Sequence, residues 1–268
     1  MTSSKEGAEF ERAACEAAAR AGKVLRRRFR EKDLTIESKG LHDFVTVVDR
    51  EAEEAAVGFI RANFPEHVVM SEEGSPEAEG ADYRWVIDPL DGTTNFIHGV
   101  TPFAVSVALE DAQGPLAAAI LDPVHDEMFR ASRGNGSFCN DEPIRVSAGQ
   151  TGGGALLATG FPFRELSRLG QYLESFEAFA RSTAGIRRAG SAAMDLARTA
   201  CGRCDGFWEI GLSRWDIAAG VLLVREAGGV VTDILGTQTE LDSGDILAAG
   251  PAIHAFMLEV TRCAFRTR

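Results

Sequence analysis

The chain has 268 residues and a formal net charge of −12, from 28 basic and 40 acidic side chains. A protein this acidic is a poor general binder of nucleic acids and anionic membranes, so direct nucleic-acid binding is not expected. Apolar residues make up 45% of the sequence, which is enough for a core without a disulfide or a structural metal. No apolar run reaches transmembrane length, and the N-terminal segment does not resemble a secretory signal. We therefore expect a cytoplasmic protein that does not bind membranes.

The first half of the chain predicts two amphipathic helices followed by short strands. Apolar side chains recur at helical spacing over residues 8–30 and again after Asp49. Alternating apolar residues from about 103 to 121, followed by the turn signal Gly-Asn-Gly at 134–136, favour successive antiparallel strands. Helices combined with strands of this kind predict an α+β fold rather than a regular βαβ repeat.

A glycine-rich segment at 150–154 is interpreted as a link between two domains. It divides the chain into an N-terminal α+β domain, 1–150, and a C-terminal α/β domain, 151–268. In the second domain we expect strands near 155–158 and 207–210 and helices over 165–182 and from about Ala252.

The five cysteines do not predict a disulfide framework, because their number is odd and their spacing irregular. Cys201 and Cys204 have the C-x-x-C spacing of redox and zinc sites, but no second pair completes a zinc site. We interpret them as small side chains near a helix end.

Residues 85–96, Trp-Val-Ile-Asp-Pro-Leu-Asp-Gly-Thr-Thr-Asn-Phe, carry the strongest chemical signal. A buried strand is expected to end there and the chain to turn at Pro89, because proline cannot continue a central strand. A helix should follow, capped by Asp91 or Thr93. The carboxylates of Asp88 and Asp91 suit a hard divalent cation, and the free N–H groups of a helix start suit a phosphate. The segment therefore predicts metal-assisted phosphoryl chemistry.

Three more carboxylates occupy comparable positions. Glu72 follows a short apolar strand, as Asp88 does, whereas Asp49 and Asp216 stand at the start of predicted helices. Capping of a helix N-terminus could by itself explain Asp49 and Asp216.

Four motifs together resemble the inositol monophosphatase family, whose members are magnesium-dependent, lithium-sensitive phosphatases of small phosphomonoesters. Residues 88–96 match the signature D-P-[LI]-D-G-T-T-N-F, and segments 43–49, 72–73 and 209–216 match further motifs in the family's order. The resemblance implies a layered αβαβα sandwich of the sugar-phosphatase type. It also implies an antiparallel sheet in the first domain, a smaller mixed sheet in the second, and a homodimer. Lys39 lies one position closer to the 43–49 motif than the family's lysine, so its equivalence stays open.

The resemblance also assigns roles to individual residues, around two or three Mg²⁺ ions. The implied metal ligands are Glu72, Asp88, the carbonyl of Leu90, Asp91 and Asp216. The implied catalytic residues are Glu72, Thr93 and Asp49, which would orient and deprotonate a metal-activated water for direct attack on phosphorus. The implied substrate contacts are Asp91, Gly92, Thr93, Ser191, Ala192, Glu209 and Asp216.

The substrate is expected to be a small phosphorylated polyol, with inositol-1-phosphate as first choice. Related families handle histidinol phosphate, fructose-1,6-bisphosphate, NADP and 3′-phosphonucleotides, and these remain alternatives. Some bacterial members bind the transcription elongation machinery, so a protein-binding module is an alternative of a different class. An intact set of metal ligands favours the enzyme, whereas binding that survives loss of Asp91 would favour the module.

Overall fold

The computed structural model describes residues 4–31, 36–40, 43–74, 82–149, 152–163 and 166–266. The helices are α1 Ser4–Arg28, α2 Val47–Asn63, α3 Thr93–Ile97, α4 Leu169–Ser182, α5 Ala192–Ala200, α6 Arg214–Glu226, α7 Glu240–Ser243 and α8 Pro251–Ala264. The strands are β1 Ile36–Gly40, β2 Asp43–Thr46, β3 Val68–Ser71, β4 Arg84–Asp91, β5 Ala104–Asp111, β6 Gly114–Asp122, β7 Glu127–Ser132, β8 Ser137–Cys139, β9 Glu142–Pro143, β10 Leu156–Thr159, β11 Gly185–Arg187, β12 Gly206–Glu209, β13 Val230–Thr232 and β14 Ile246–Ala249.

Two sheets organise the chain. The larger has seven strands in the order β3-β4-β5-β6-β7-β8-β9, antiparallel except for the parallel edge pair β3–β4. The smaller has five strands in the order β11-β10-β12-β14-β13, in which β10 is parallel to both neighbours and β14 antiparallel to both. The expected antiparallel first sheet and smaller mixed second sheet are confirmed.

Helices form three layers around these sheets. Helices α1 and α2 pack on one face of the large sheet, α5 and α6 lie between the two sheets, and α4 and α8 pack on the far face of the small sheet. Strand β5 has apolar side chains on both faces and can therefore be covered by helices on both sides. Val105 and Val107 face α1, while Ala104 and Ala108 face α5 and α6, the middle helices. The small alanines let the middle helices approach the sheet closely. The αβαβα sandwich is confirmed.

The segment around Pro89 departs from the sequence prediction. Strand β4 continues through Pro89 to Asp91, and its pairing with β5 shifts register between Asp88 and Asp91. The predicted turn is therefore wrong, because a bulge accommodates a residue that lacks an N–H. The predicted cap is also wrong: α3 begins after Gly92, which has φ +97°, and within the described chain no side chain caps it.

The division of the chain at residue 150 stays a prediction. The large sheet precedes this position and the small sheet follows it, but α5 and α6 from the second half share a core with the inner face of the large sheet. Among the described residues, no helix is long and apolar enough to cross a membrane. The side chain of Lys39 lies outside the described part of the structure, so its equivalence stays open. Cys201 and Cys204 lie at the end of α5 as free thiols.

Candidate active site

Three aspartates converge where the two halves of the chain meet. Asp88 and Asp91 come from the end of β4, and Asp216 comes from the first turn of α6. One carboxylate oxygen of each lies within 4.8 Å of the other two. These donors are hard oxygen ligands of the kind that Mg²⁺ prefers. The donor set therefore fits a divalent cation.

The electrostatics of this cluster also fit a cation. Burial raises the pKa of Asp88 well above its usual range, and the charges of Glu72, Asp91 and Asp216 raise it further. Burial and the charge of Asp216 raise the pKa of Asp91 to about 7. Without a cation, the cluster therefore holds protons at neutral pH, because adjacent carboxylates in a desolvated site cannot all be ionised.

Hydrogen bonds from α5 hold Asp91 in place. Its Oδ2 atom accepts from the hydroxyl of Ser191 at 2.5 Å and from the backbone N–H of Ala193 at 2.7 Å. Ser191 is also the N-cap of α5, since its Oγ accepts from the N–H of Met194. The sequence predicted Ser191 as a substrate contact, and the structure adds a direct contact with a predicted metal ligand.

Asp216 both caps its helix and belongs to the cluster. Its Oδ2 accepts a hydrogen bond from the backbone N–H of Ser213 at 2.7 Å, the acidic half of a capping box. Capping and membership of the cluster, treated as alternatives in the sequence, are thus compatible.

Asp49 lies behind Thr93. Its Oδ1 accepts from the Thr93 hydroxyl at 3.1 Å, while its Oδ2 accepts from the backbone N–H and the hydroxyl of Thr46 at 2.8 and 2.6 Å. Thr46, three residues earlier, is the N-cap of α2, so the prediction that Asp49 occupies that position is wrong. Burial raises the pKa of Asp49, and the bonds from Thr46 oppose this rise. The Thr93 hydroxyl also lies 3.1 Å from the carbonyl oxygen of Leu90.

A cavity of about 380 Å³ opens above the aspartates. It is lined by every predicted site residue except Asp49, namely Glu72, Asp88, Leu90, Asp91, Gly92, Thr93, Ser191, Ala192, Glu209 and Asp216. Asp49 reaches the cavity only through Thr93. The structure therefore brings predicted site residues of three sequence motifs to the cavity wall and places Asp49, from the fourth motif, behind Thr93.

The cavity wall also contains Glu209, from the end of β12. Burial raises the pKa of Glu209 well above its usual range, and the neighbouring charges of Asp195 and Asp216 add to this. Gly160 packs directly against this carboxyl group, and a Cβ atom at Gly160 would collide with it. Arg188 also lines the cavity, and its guanidinium lies over the rings of Phe161 and Phe163.

Comparison with known proteins decides the family. The inositol monophosphatase family matches residues 6–265. The chain belongs to this family. The resemblance predicted from the four motifs is confirmed, and family membership supports a phosphatase.

Individual members of the inositol monophosphatase family carry two kinds of name. The Nus factor SuhB of Pseudomonas aeruginosa is 50% identical over 241 residues, which cover 88% of this chain and 89% of that protein. The inositol-1-monophosphatase of Mesorhizobium japonicum is 42% identical over 249 residues, 92% of this chain and 94% of that protein. The solved structure of an inositol monophosphatase from Anabaena has a TM-score of 0.84 and 40% identity, covering 94% of both chains.

Three residues of this family member were not assigned a role from its sequence. Asp195 and Arg188 line the cavity, and Asn95 donates to the carbonyl groups of Pro102 and Ala189 at 2.6 and 2.9 Å, which ties α3 to the start of α5. Asp195 could have been recognised from the sequence, because it is a carboxylate within the otherwise apolar segment 192–197, and buried carboxylates are rare. Asn95 stands in the 88–96 motif, but its bond to Ala189, 94 residues away, left no signal in the sequence, and neither did the position of Arg188 in the cavity.

Proposed function

We propose that this protein is a Mg²⁺-dependent phosphatase that hydrolyses inositol-1-phosphate to inositol and phosphate. The observation that carries the proposal is the convergence of Asp88, Asp91 and Asp216 within 4.8 Å at the base of a cavity. Membership of the inositol monophosphatase family supports the same activity.

Glu72, Asp88, the Leu90 carbonyl, Asp91 and Asp216 would hold two or three Mg²⁺ ions. When bound, Mg²⁺ would neutralise these carboxylates and the phosphate and lower the pKa of water. The hydrogen bonds from Ser191 and Ala193 keep the Asp91 carboxylate fixed for this role.

Thr93 and Asp49 would orient the attacking water. Because the Thr93 hydroxyl donates its proton to Asp49 Oδ1, its oxygen keeps a lone pair that can accept from water. Glu72, at the wall of the cavity, would take the proton that this water loses as it attacks phosphorus in line. The backbone N–H groups of Gly92 and Thr93 would donate to a phosphate oxygen and stabilise the charge that develops on it.

Ser191, Ala192 and Glu209 would contact the alcohol half of the substrate. The raised pKa of Glu209 favours its protonated form, which both donates and accepts hydrogen bonds, as a substrate hydroxyl does. This complementarity supports a polyol. Histidinol phosphate, fructose-1,6-bisphosphate, NADP and 3′-phosphonucleotides would use the same phosphate chemistry with a different alcohol.

A panel of these five esters tests the proposal, by phosphate release with and without Mg²⁺. We expect Mg²⁺-dependent release with the highest kcat/KM for inositol-1-phosphate. A higher kcat/KM for another ester would make that ester the proposed substrate instead of inositol-1-phosphate. Absence of phosphate release from every ester would overturn the proposed activity.

A second candidate function is binding to the transcription machinery. The 50% identity with a protein named Nus factor SuhB favours it. Its test is binding to a purified bacterial RNA polymerase elongation complex, compared between wild type and Asp91→Asn. Equal binding by both would support a module that is independent of the phosphatase site, whereas no binding by wild type would overturn it.

Homodimerisation and lithium sensitivity belong to the same proposal and rest on family membership, whereas the proposed cytoplasmic location rests on the sequence expectation given above. Sedimentation and inhibition by LiCl test the first two directly.

A further inference from the structure

Asp195 is a buried carboxyl group in the wall of the cavity. It lies in the first turns of α5, four residues after Ser191, and its side chain is 2% exposed. It nevertheless lines the same cavity as Asp91 and Glu209. An aspartate is rarely buried to this degree unless it is paired with a cation or has a role in binding or catalysis.

The Oδ1 atom of Asp195 is buried and has no hydrogen-bond partner among the described residues. Within the described part of the chain, the cation found within 4 Å of it is Nη1 of Arg198 at 3.9 Å, too far for a hydrogen bond. Buried polar atoms in native proteins are nearly always satisfied, and an exception beside a cavity indicates a group that arrives with a ligand. Asp91 shows the contrast, since its Oδ2 already has two donors from the protein.

The surroundings of Asp195 suit a hydroxyl better than a cation. Asp195 is not part of the three-aspartate cluster, which is the group of possible metal-binding side chains found across the described residues. Burial raises its pKa to about 8, a rise opposed by the charges of Arg198 and Arg188 and increased by that of Asp91. A carboxyl group that keeps its proton at neutral pH can both donate to and accept from a hydroxyl.

We infer that Asp195 binds a hydroxyl of the alcohol half of the substrate and thereby sets a preference for polyol phosphates over phosphomonoesters without hydroxyls. The inference deepens the proposed function and rests on it. It assigns to α5 two separate roles, in which Ser191 holds Asp91 and Asp195, one turn further on, contacts the alcohol.

The test compares two esters, inositol-1-phosphate and phenyl phosphate, which has no hydroxyl on its alcohol half. We expect Asp195→Ala to lower kcat/KM for inositol-1-phosphate by about 10-fold or more, mainly through KM. The value for phenyl phosphate should change by less than about 3-fold. Asp195→Asn keeps a donor and an acceptor and should remain within about 3-fold of wild type for both esters.

Met194→Ala is the matched control. Met194 is buried in the same helix but its side chain does not line the cavity. This variant should lower thermal stability while leaving the ratio of the two kcat/KM values unchanged. Equal losses on both esters in Asp195→Ala would overturn the inference and leave the phosphatase activity standing.

A binding measurement separates this inference from the activity itself. Titration calorimetry measures binding of free myo-inositol in the presence of Mg²⁺ and inorganic phosphate. Binding that weakens by about 10-fold or more in Asp195→Ala supports the inference even if the wild type hydrolyses neither ester, a result that would by itself overturn the proposed activity. Equal binding by wild type and variant, or binding by neither, overturns the inference.

Discussion

The Asp91 carboxylate accepts a hydrogen bond from the Ser191 hydroxyl, with 2.5 Å between Oδ2 and Oγ. Asp91 ends a strand of the large sheet, and Ser191 begins a helix that lies between the two sheets. A side chain from the second half of the chain therefore orients a carboxylate from the first half. The contact couples the geometry of the candidate metal site to the packing of α5.

Replacement of Ser191 tests this coupling. Ser191→Ala removes both the bond to Asp91 and the cap of α5, so we expect a loss of about 1 kcal/mol in the free energy of unfolding. We also expect about a tenfold loss in kcat, because the Oδ2 atom of Asp91 loses one of its two donors. Ser191→Thr keeps the hydroxyl and should stay close to wild type. Urea unfolding and steady-state kinetics measure these effects. An unchanged kcat in Ser191→Ala would show that the bond from Ser191 to Asp91 does not contribute to catalysis.

The pKa of Asp91 predicts how Mg²⁺ stabilisation depends on pH. The folded state raises this pKa from 3.8 to about 7. Below about pH 3, Asp91 is protonated in both the folded and the unfolded state and does not change stability with pH. As the pH rises from 4 to 7, the unfolded chain loses this proton first, so the metal-free protein becomes less stable.

We therefore expect Mg²⁺ to raise the unfolding temperature more at pH 8 than at pH 5.5. Bound cations favour the ionised carboxylates, whose mutual repulsion is largest at high pH. Differential scanning calorimetry with EDTA or MgCl₂ measures the difference, and an equal Mg²⁺ effect at both pH values would count against a cation at the aspartates.

Loss of the contact between Thr93 and Asp49 is expected to lower kcat without changing stability. Thr93→Val removes the hydroxyl that bonds Asp49 Oδ1 at 3.1 Å and retains its shape. We expect kcat to fall by about 10²-fold, because the attacking water loses the hydroxyl that orients it, while the unfolding temperature changes little. Thr93→Ser keeps the hydroxyl and should recover most of the rate. A Thr93→Val enzyme with near-normal kcat would show that Asp49 does not act through this residue.

Replacement of Gly160 tests whether Glu209 contacts the alcohol half of the substrate. A Cβ atom at this position would collide with the Glu209 carboxyl group, so Gly160→Ala should displace that group and raise KM for inositol-1-phosphate. Gly170→Ala is the control, because a Cβ atom there meets nothing within 4 Å and the position lies in a helix. It should leave KM unchanged and stabilise the protein slightly. A normal KM for the ester in Gly160→Ala would argue against a contact between Glu209 and the substrate.

The sequence predicted well what depends on local pattern. The placement of Asp88 on a buried strand, the loop after β3 with Glu72 and the helix start at Asp216 follow from short motifs, and all three residues line the cavity. The layered fold could be predicted from the family resemblance, because the four motifs span most of the chain.

The predictions were wrong at positions where the same residues are compatible with two backbone arrangements. Proline was expected to end β4, but a register shift beside it lets the strand continue to Asp91. Asp49 was placed at the N-cap of α2, although an acidic residue three positions after Thr46 is the pattern of a capping box.

The long-range contacts could not have been predicted from periodicity. Ser191 and Asp91 are 100 residues apart, and the unpaired Oδ1 atom of Asp195 becomes visible only when the cavity is known. Side chains that meet through tertiary packing leave no local spacing in the sequence.

The most direct test of the account is Mg²⁺-dependent phosphate release from inositol-1-phosphate by wild type and Asp91→Asn, with Asp126→Asn as control. Asp126 is an exposed aspartate that pairs with Arg26, outside the cavity. We predict that Asp91→Asn abolishes turnover and the stabilisation by Mg²⁺ while it remains folded, and that Asp126→Asn retains both. Near-normal kcat in Asp91→Asn would contradict the assignment of the three aspartates as the metal-binding centre of a phosphatase.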